Sequence, residues 1–145
     1  MSTIRALQRD DRDDWMTLWA GYLAFYRAEL PEATSWATFE RRCAGEEGLF
    51  GLLAVDEAGL GIGMANCVLH ASTWSRQPKC YLEDLFVAPE ARGLDVGRAL
   101  LQAAKAAGTE RGADQLCWHT QQYNGRARSL YDQVGRPTSF VVYEM

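Results

Sequence analysis

The segment Tyr81–Leu101, YLEDLFVAPEARGLDVGRALL, constrains this chain more than any other stretch. It reads as a strand, a tight loop and an amphipathic helix in immediate succession. The strand, Tyr81–Val87, carries Glu83 and Asp84 inside an apolar run. Pro89 stops it, because proline cannot donate to a sheet ladder. Arg92-Gly93-Leu94-Asp95-Val96-Gly97-Arg98 then opens onto the helix. The first amides of a helix have no intrahelical partner and sit at its positive dipole end, so such a start receives phosphate well. Gly93 and Gly97 let a ligand approach the main chain, and Arg92 and Arg98 add positive charge.

Two phosphate-binding patterns do not fit. A P-loop needs Lys-Ser/Thr after its last glycine, and Arg98-Ala99 stands there. A dinucleotide fingerprint needs G-x-G-x-x-G, and Gly93-Leu94-Asp95 breaks it. Neither ATP nor NAD is therefore the expected ligand.

A chain of 145 residues suggests one domain, residues 1–145. With 48% hydrophobic and 11% aromatic residues it can bury a core, which argues against disorder. No apolar run approaches the ~20 residues of a membrane span, and the N-terminal residues lack the apolar stretch of a secretory signal. Cys43, Cys67, Cys80 and Cys117 are scattered without a C-x-x-C pair, which suits buried thiols in a reducing cytoplasm rather than zinc or disulfides. His70 and His119 have no ligand spacing, so no metal is expected. A net charge of −4 argues against a nucleic-acid partner and mildly favours a cationic small substrate. The acids Asp10, Asp11, Asp13 and Asp14 stand where carboxylates favour a helix start.

Along the chain, Thr3–Leu7 alternates like a strand. Asp13–Glu29 repeats aromatic residues at three- and four-residue spacing, an amphipathic helix that Pro31 ends. A short helix over Trp36–Ala44 has Thr34 or Ser35 as its cap and Gly45 as its close. Phe50–Asp56 and Gly61–Leu69 form a hairpin, Ala71–Pro78 is a loop, and Lys79–Val87 is the strand already described. Helix Gly97–Gly112, strand Gln115–Gln121, helix Gly125–Val134 with Asn124 as N-cap, and a short strand Phe140–Tyr143 complete the chain. Meander plus crossover gives an α/β fold: a mixed, twisted sheet with helices on both faces.

The arginine-glycine loop resembles the acyl-CoA-binding segment of the GNAT superfamily of N-acetyltransferases, with Asp95 where the middle glycine is expected. HASTW at 70–74, YLEDLFV at 81–87 and N-x-x-A-x-x-L-Y at 124–131 are similar to the diamine and polyamine acetyltransferases and related small-amine enzymes. The resemblance covers roughly residues 61–135. It implies the GNAT fold, acetyl-CoA as acetyl donor and a small-molecule amine as acceptor. It also implies that Arg92, Gly93, Leu94, Asp95, Val96, Gly97 and Arg98 hold the pyrophosphate. The main chain of Leu85, Phe86 and Val87 then meets the pantetheine and polarises the acetyl carbonyl. Only ten residues follow Gly135, fewer than the superfamily's usual C-terminal strands, so a homodimer that completes the sheet edge is expected.

Acetyl transfer to an amine needs a base, because an alkyl ammonium with a pKa near ~10 is not nucleophilic at neutral pH. It also profits from an acid that protonates the departing thiolate. The resemblance gives Glu83 the role of base, through water, and an apolar neighbourhood would raise its pKa. Strand alternation sends Asp84 to the opposite face, where it is expected to be structural. The resemblance makes Tyr131 the acid and lets Asn124 contact the pantetheine while capping its helix. Trp74, Trp118, Tyr22 and Tyr26 can wall an amine pocket by cation–π contact, with Trp74 and Tyr26 the substrate candidates. Asp95 either repels the pyrophosphate, or adopts the backbone of the missing glycine and turns outward toward Arg98. Two further functional readings are a protein-directed (lysine or N-terminal) acetyltransferase and a CoA-binding module without transfer.

Overall fold

The computed structural model describes residues 2–145. Its elements run β1 (Thr3–Ala6), α1 (Arg12–Phe25), α2 (Glu32–Ala44), β2 (Leu49–Val55), β3 (Gly61–His70), β4 (Lys79–Val87), α3 (Val96–Glu110), β5 (Leu116–Trp118) and α4 (Gly125–Val134). The strands form one sheet in the order β1-β2-β3-β4-β5. The first three pairings are antiparallel, and β4–β5 is parallel, with α3 as the crossover between them. This is the mixed α/β sheet expected from the sequence.

Both faces of the sheet are buried. On one side α1 and α2 set Trp15, Leu18, Trp19 and Phe39 against Leu53 and Met64. On the other, Leu100, Leu101 and Ala104 of α3 pack on Leu52, Ala54, Ala65, Cys67 and Leu82, and Leu130, Tyr131 and Val134 of α4 close the edge. Burying one large apolar side chain contributes ~1.5–3 kcal/mol, so these two layers supply the main drive to fold. The indole of Trp15 is wholly buried, and its N–H donates to Asn66 Oδ1 at 3.1 Å.

Several boundaries differ from the expectation, each for a local reason. Helix α1 ends at Phe25 rather than near Glu29. The chain reverses through Arg27 at φ 52°, and the Ala28 amide returns to the Leu23 carbonyl. Helix α2 begins at Glu32 behind Pro31, and Ser35 is a buried acceptor for the Trp19 indole N–H at 2.9 Å rather than a cap. Asn124 stands at the start of α4 but makes no side-chain cap there; its amide points to Thr120 at 3.4 Å. Strand β5 is three residues, not seven. Residues 140–143 form no strand, and Phe140, Val141, Val142 and Tyr143 are exposed. Their β-propensity is real, but propensity without a ladder partner does not make a strand.

One irregularity positions everything that follows. The β3–β4 register slips between Asn66 and Cys67, so Asn66 faces Asp84 while Cys67 faces Leu82. Glu83 is the extra residue of a β-bulge, which bends its strand and increases the local twist.

Candidate active site between two parting strands

Strands β4 and β5 pair at only three positions, ending at Leu82 and Trp118. The bulge at Glu83 turns β4 away, and the space it opens holds a cavity of about 520 Å³. Beyond Leu82, one edge of β4 faces this gap. The Ala88 amide donates to Ile62 on the β3 side. Antiparallel alternation then points Phe86 toward β3 as well and leaves the N–H groups of Leu85 and Val87 directed into the gap. Leu85, Phe86 and Val87 all line the cavity.

The start of α3 forms its polar end. Arg92, Gly93, Asp95, Val96, Gly97 and Arg98 line the cavity, whereas the Leu94 side chain projects into solvent. Gly93 has φ 82°, a conformation that side chains with a Cβ resist. Asp95 has φ 63° and ψ 14°, so an aspartate does take up the left-handed backbone that glycine would have supplied. Its side chain is 79% exposed and pairs with the Arg98 Nε at 3.4 Å. No side chain caps α3, so the amides of its first turn are free to receive an anion. The Arg92 Nε donates to the Val87 carbonyl at 3.1 Å, and its guanidinium lies 5.5 Å from the Phe86 ring centre. That contact ties the loop to the strand edge. Arg98 reaches Gln133 on α4.

Helix α4 forms the third wall with Asn124, Arg126, Ser129, Leu130 and Tyr131. Tyr131 sits edge-on to Trp118 at 5.5 Å, and burial raises the pKa of its phenol. It therefore stays protonated at neutral pH and can donate. Helix α1 forms the fourth wall with Tyr22, Phe25 and Tyr26. Their ring ladder continues inward, Tyr26 to Tyr22 at 4.9 Å, Tyr22 to Trp19 at 5.4 Å and Trp19 to Trp15 at 5.2 Å. Residue 21, between two of these aromatic positions, is glycine because α1 lies hard on β4. A Cβ there would meet the Phe86 ring at 2.7 Å.

Two expectations about the carboxylates are corrected. Glu83 is not in an apolar neighbourhood: its side chain is 51% exposed, 3.8 Å from Arg42 Nη2, and outside the cavity lining. Asp84 does not face away from it, because the bulge defeats simple alternation and both acids approach the same guanidinium, Asp84 at 4.0 Å. Asp84 is the buried acid. Its Oδ2 accepts from Asn66 Nδ2 at 3.1 Å, and the Tyr22 hydroxyl lies near enough to favour its charged form. Desolvation raises its pKa, against the opposing effects of Asn66, Tyr22 and Arg42. Burial in turn lowers that of Arg42, whose Nη1 donates to the carbonyls of Phe50 at 3.1 Å and Cys67 at 2.7 Å, so it also secures the bulge.

The donor set matches one kind of ligand. Helix-start amides and two arginines suit a pyrophosphate, and an open strand edge suits an extended chain of amides. Residues 12–135 match the model of the Acetyltransferase (GNAT) family.

The chain belongs to the GNAT family.

Acetyl-CoA-dependent acetyltransferase activity comes with that membership. The D-amino-acid N-acetyltransferase HPA3 of Saccharomyces cerevisiae is 33% identical over 97% of this chain and 88% of its own. The thialysine N-epsilon-acetyltransferase of Bos taurus is 34% identical, over 44% of this chain and 37% of its own. In fold, the chain is similar to AAC(6')-Iy, an aminoglycoside N-acetyltransferase solved with a CoA-based bisubstrate analogue. The TM-score is 0.86 at 20% identity, over 100% of this chain and 97% of that one.

Of the residues singled out in the sequence, this GNAT cavity gathers Leu85, Phe86, Val87, Arg92, Gly93, Asp95, Val96, Gly97, Arg98, Asn124, Tyr131, Tyr22 and Tyr26. It does not gather Glu83, Leu94, Trp74 or Trp118; Trp74 is 94% exposed on its loop. Phe25, Arg126 and the polar face of α4 went unread, because α4 carries few apolar residues to mark which face turns inward.

Proposed function

We propose that residues 1–145 act as one N-acetyltransferase domain that moves the acetyl group of acetyl-CoA directly to a primary amine of a small molecule, a polyamine, amino acid or similar compound. One observation carries this reading: a single cavity joins an anion-receiving helix start, an open strand edge and an aromatic wall. The small-molecule acceptors named for the yeast and bovine relatives support it.

In this reading the amides of the first turn of α3, with Arg92 and Arg98, hold the pyrophosphate. The N–H groups of Leu85 and Val87 bind the pantetheine and the thioester carbonyl, and stabilise the negative charge that grows on that oxygen. Asn124 holds the same arm from the α4 side. Tyr26 packs on the amine substrate. A carboxylate of β4, the strand that carries both Glu83 and Asp84, takes the proton of the ammonium. Tyr131 gives a proton to the departing thiolate. The protein works in the cytoplasm as a homodimer, in keeping with its scattered cysteines and the exposed residues 140–143. Its acidic balance gives it no nucleic-acid partner, and no described helix is long and apolar enough to cross a membrane.

Thiol release from acetyl-CoA, measured with polyamines, D- and L-amino acids and a lysine peptide, tests the reading. Release with at least one small amine, well above the peptide, is expected. Release with the peptide alone would make the protein a protein acetyltransferase. Tight binding without release would leave a CoA-binding module.

A further inference from the structure

Asp84 differs in its surroundings from a buried carboxylate that serves structure. Asp11 shows what the latter looks like here: both oxygens accept from Arg5 at 2.8 Å, and the Gln8 amide adds a bond at 2.7 Å. Asp84 has no such clasp. Arg42 stays 4.0 Å away, with one terminal nitrogen committed to main-chain carbonyls. Asp84 is instead held by neutral groups. The Trp15 indole can only donate, so its bond to Asn66 Oδ1 fixes that amide with its NH₂ toward Asp84. The Tyr22 hydroxyl lies near enough to favour the charged form of Asp84, and Tyr22 lines the cavity. A carboxylate kept out of water, loosely paired and connected to the cavity by one phenol is arranged to accept a proton.

We propose that Tyr22 and Asp84 form the relay that takes the proton from the acceptor amine. This rests on the transferase reading above and moves the deprotonation inward from Glu83, which is left at the rim. In the step, the ammonium gives a proton to the Tyr22 oxygen while the Tyr22 proton passes to Asp84. The freed lone pair attacks the thioester carbon, and the C–S bond breaks. The sulfur takes its proton from Tyr131, and the second proton on nitrogen restores that phenol. Asp84 later returns its proton to solvent, so each turnover releases one. Tyr22 touches the substrate; Asp84 acts through it. The groups that bear on Asp84 are Tyr22 and Tyr26 from α1, Arg42 from α2, and Glu83 and Tyr81 on its own strand. Desolvation raises the pKa of Asp84, which makes it a stronger base than an exposed carboxylate.

The pH profile of kcat/KM for the amine, measured for the wild type and for Asp84→Asn, Tyr22→Phe and Glu83→Gln, tests this. Acetyl-CoA binding serves as the check on folding. Asp84→Asn should lose about 10²-fold at neutral pH, with the deficit shrinking as pH rises and free amine becomes available. Tyr22→Phe should lose about tenfold in the same direction, with acetyl-CoA affinity unchanged. Glu83→Gln should keep the acid limb of the wild type. An unchanged acid limb in Tyr22→Phe and Asp84→Asn, or its loss in Glu83→Gln alone, overturns the relay while leaving the transferase intact. Should Asp84→Asn fail to fold, Tyr22→Phe decides alone. A wild type that releases no thiol with any amine overturns the transferase reading, and the relay with it.

Discussion

Tyr131 and Asp95 show how much a single position decides in this molecule. Tyr131 is packed against Trp118, and burial keeps its phenol protonated. Tyr131→Phe keeps the ring and removes only the proton, so turnover should fall by roughly 10²-fold with acetyl-CoA affinity nearly unchanged. Initial rates beside a binding titration check this; equal turnover in the variant would return Tyr131 to the core. Asp95 presents a different balance. One unit charge at ~6 Å from a pyrophosphate, at an effective dielectric of ~20, costs on the order of 2–3 kcal/mol. Its exposure and its pairing with Arg98 reduce this to about 1 kcal/mol. Asp95→Gly should therefore tighten acetyl-CoA binding by roughly fivefold, more at low salt, and should relieve the left-handed strain at φ 63°. Calorimetry at two salt concentrations checks it, and an affinity that does not move would show that the pyrophosphate lies elsewhere.

Elements are held in place by a few charged clasps, and one of them carries a pH dependence. The Arg5–Asp11 pair binds β1 to the turn that opens α1. Arg5 holds the Asp11 carboxyl below the usual carboxylate range, through hydrogen bonds first. A carboxylate with a depressed folded-state pKa stabilises the protein above its unfolded value of ~3.9, and this is lost as pH falls through the folded value. Asp11→Asn should cost about 2 kcal/mol near neutral pH, and its deficit should vanish in acid below the folded-state pKa. Thermal melts across pH 2 to 7, a range of roughly five units, measure both parts. The same scale shows what the sequence can and cannot convey. The strand–loop–helix of residues 81–101 was legible because apolar period, proline and glycines all changed together. The bulge at Glu83 was not, since an inserted residue leaves no local mark: it arises from the register with β3. That one residue turns both Glu83 and Asp84 toward Arg42, against the alternation expected of a regular strand. Tail residues 140–143 misled in the opposite way, offering strand chemistry without a strand beside them.

At the scale of the whole molecule, the fold is a wedge driven into its own sheet. Helix α3 ties β4 to β5 over three residue pairs, the bulge parts them, and aromatic residues of α1 and α4 line the opening. The cavity thus reads two chemistries at once, an anion at the start of α3 and an extended amide chain along the edge of β4. Calorimetric titration of acetyl-CoA, ATP and NAD into the wild-type protein separates them, because all three carry a pyrophosphate and only acetyl-CoA carries the pantetheine arm. The account predicts acetyl-CoA binding in the micromolar range or tighter, about −8 kcal/mol, with ATP and NAD weaker by at least tenfold. ATP or NAD binding as tightly as acetyl-CoA would contradict it.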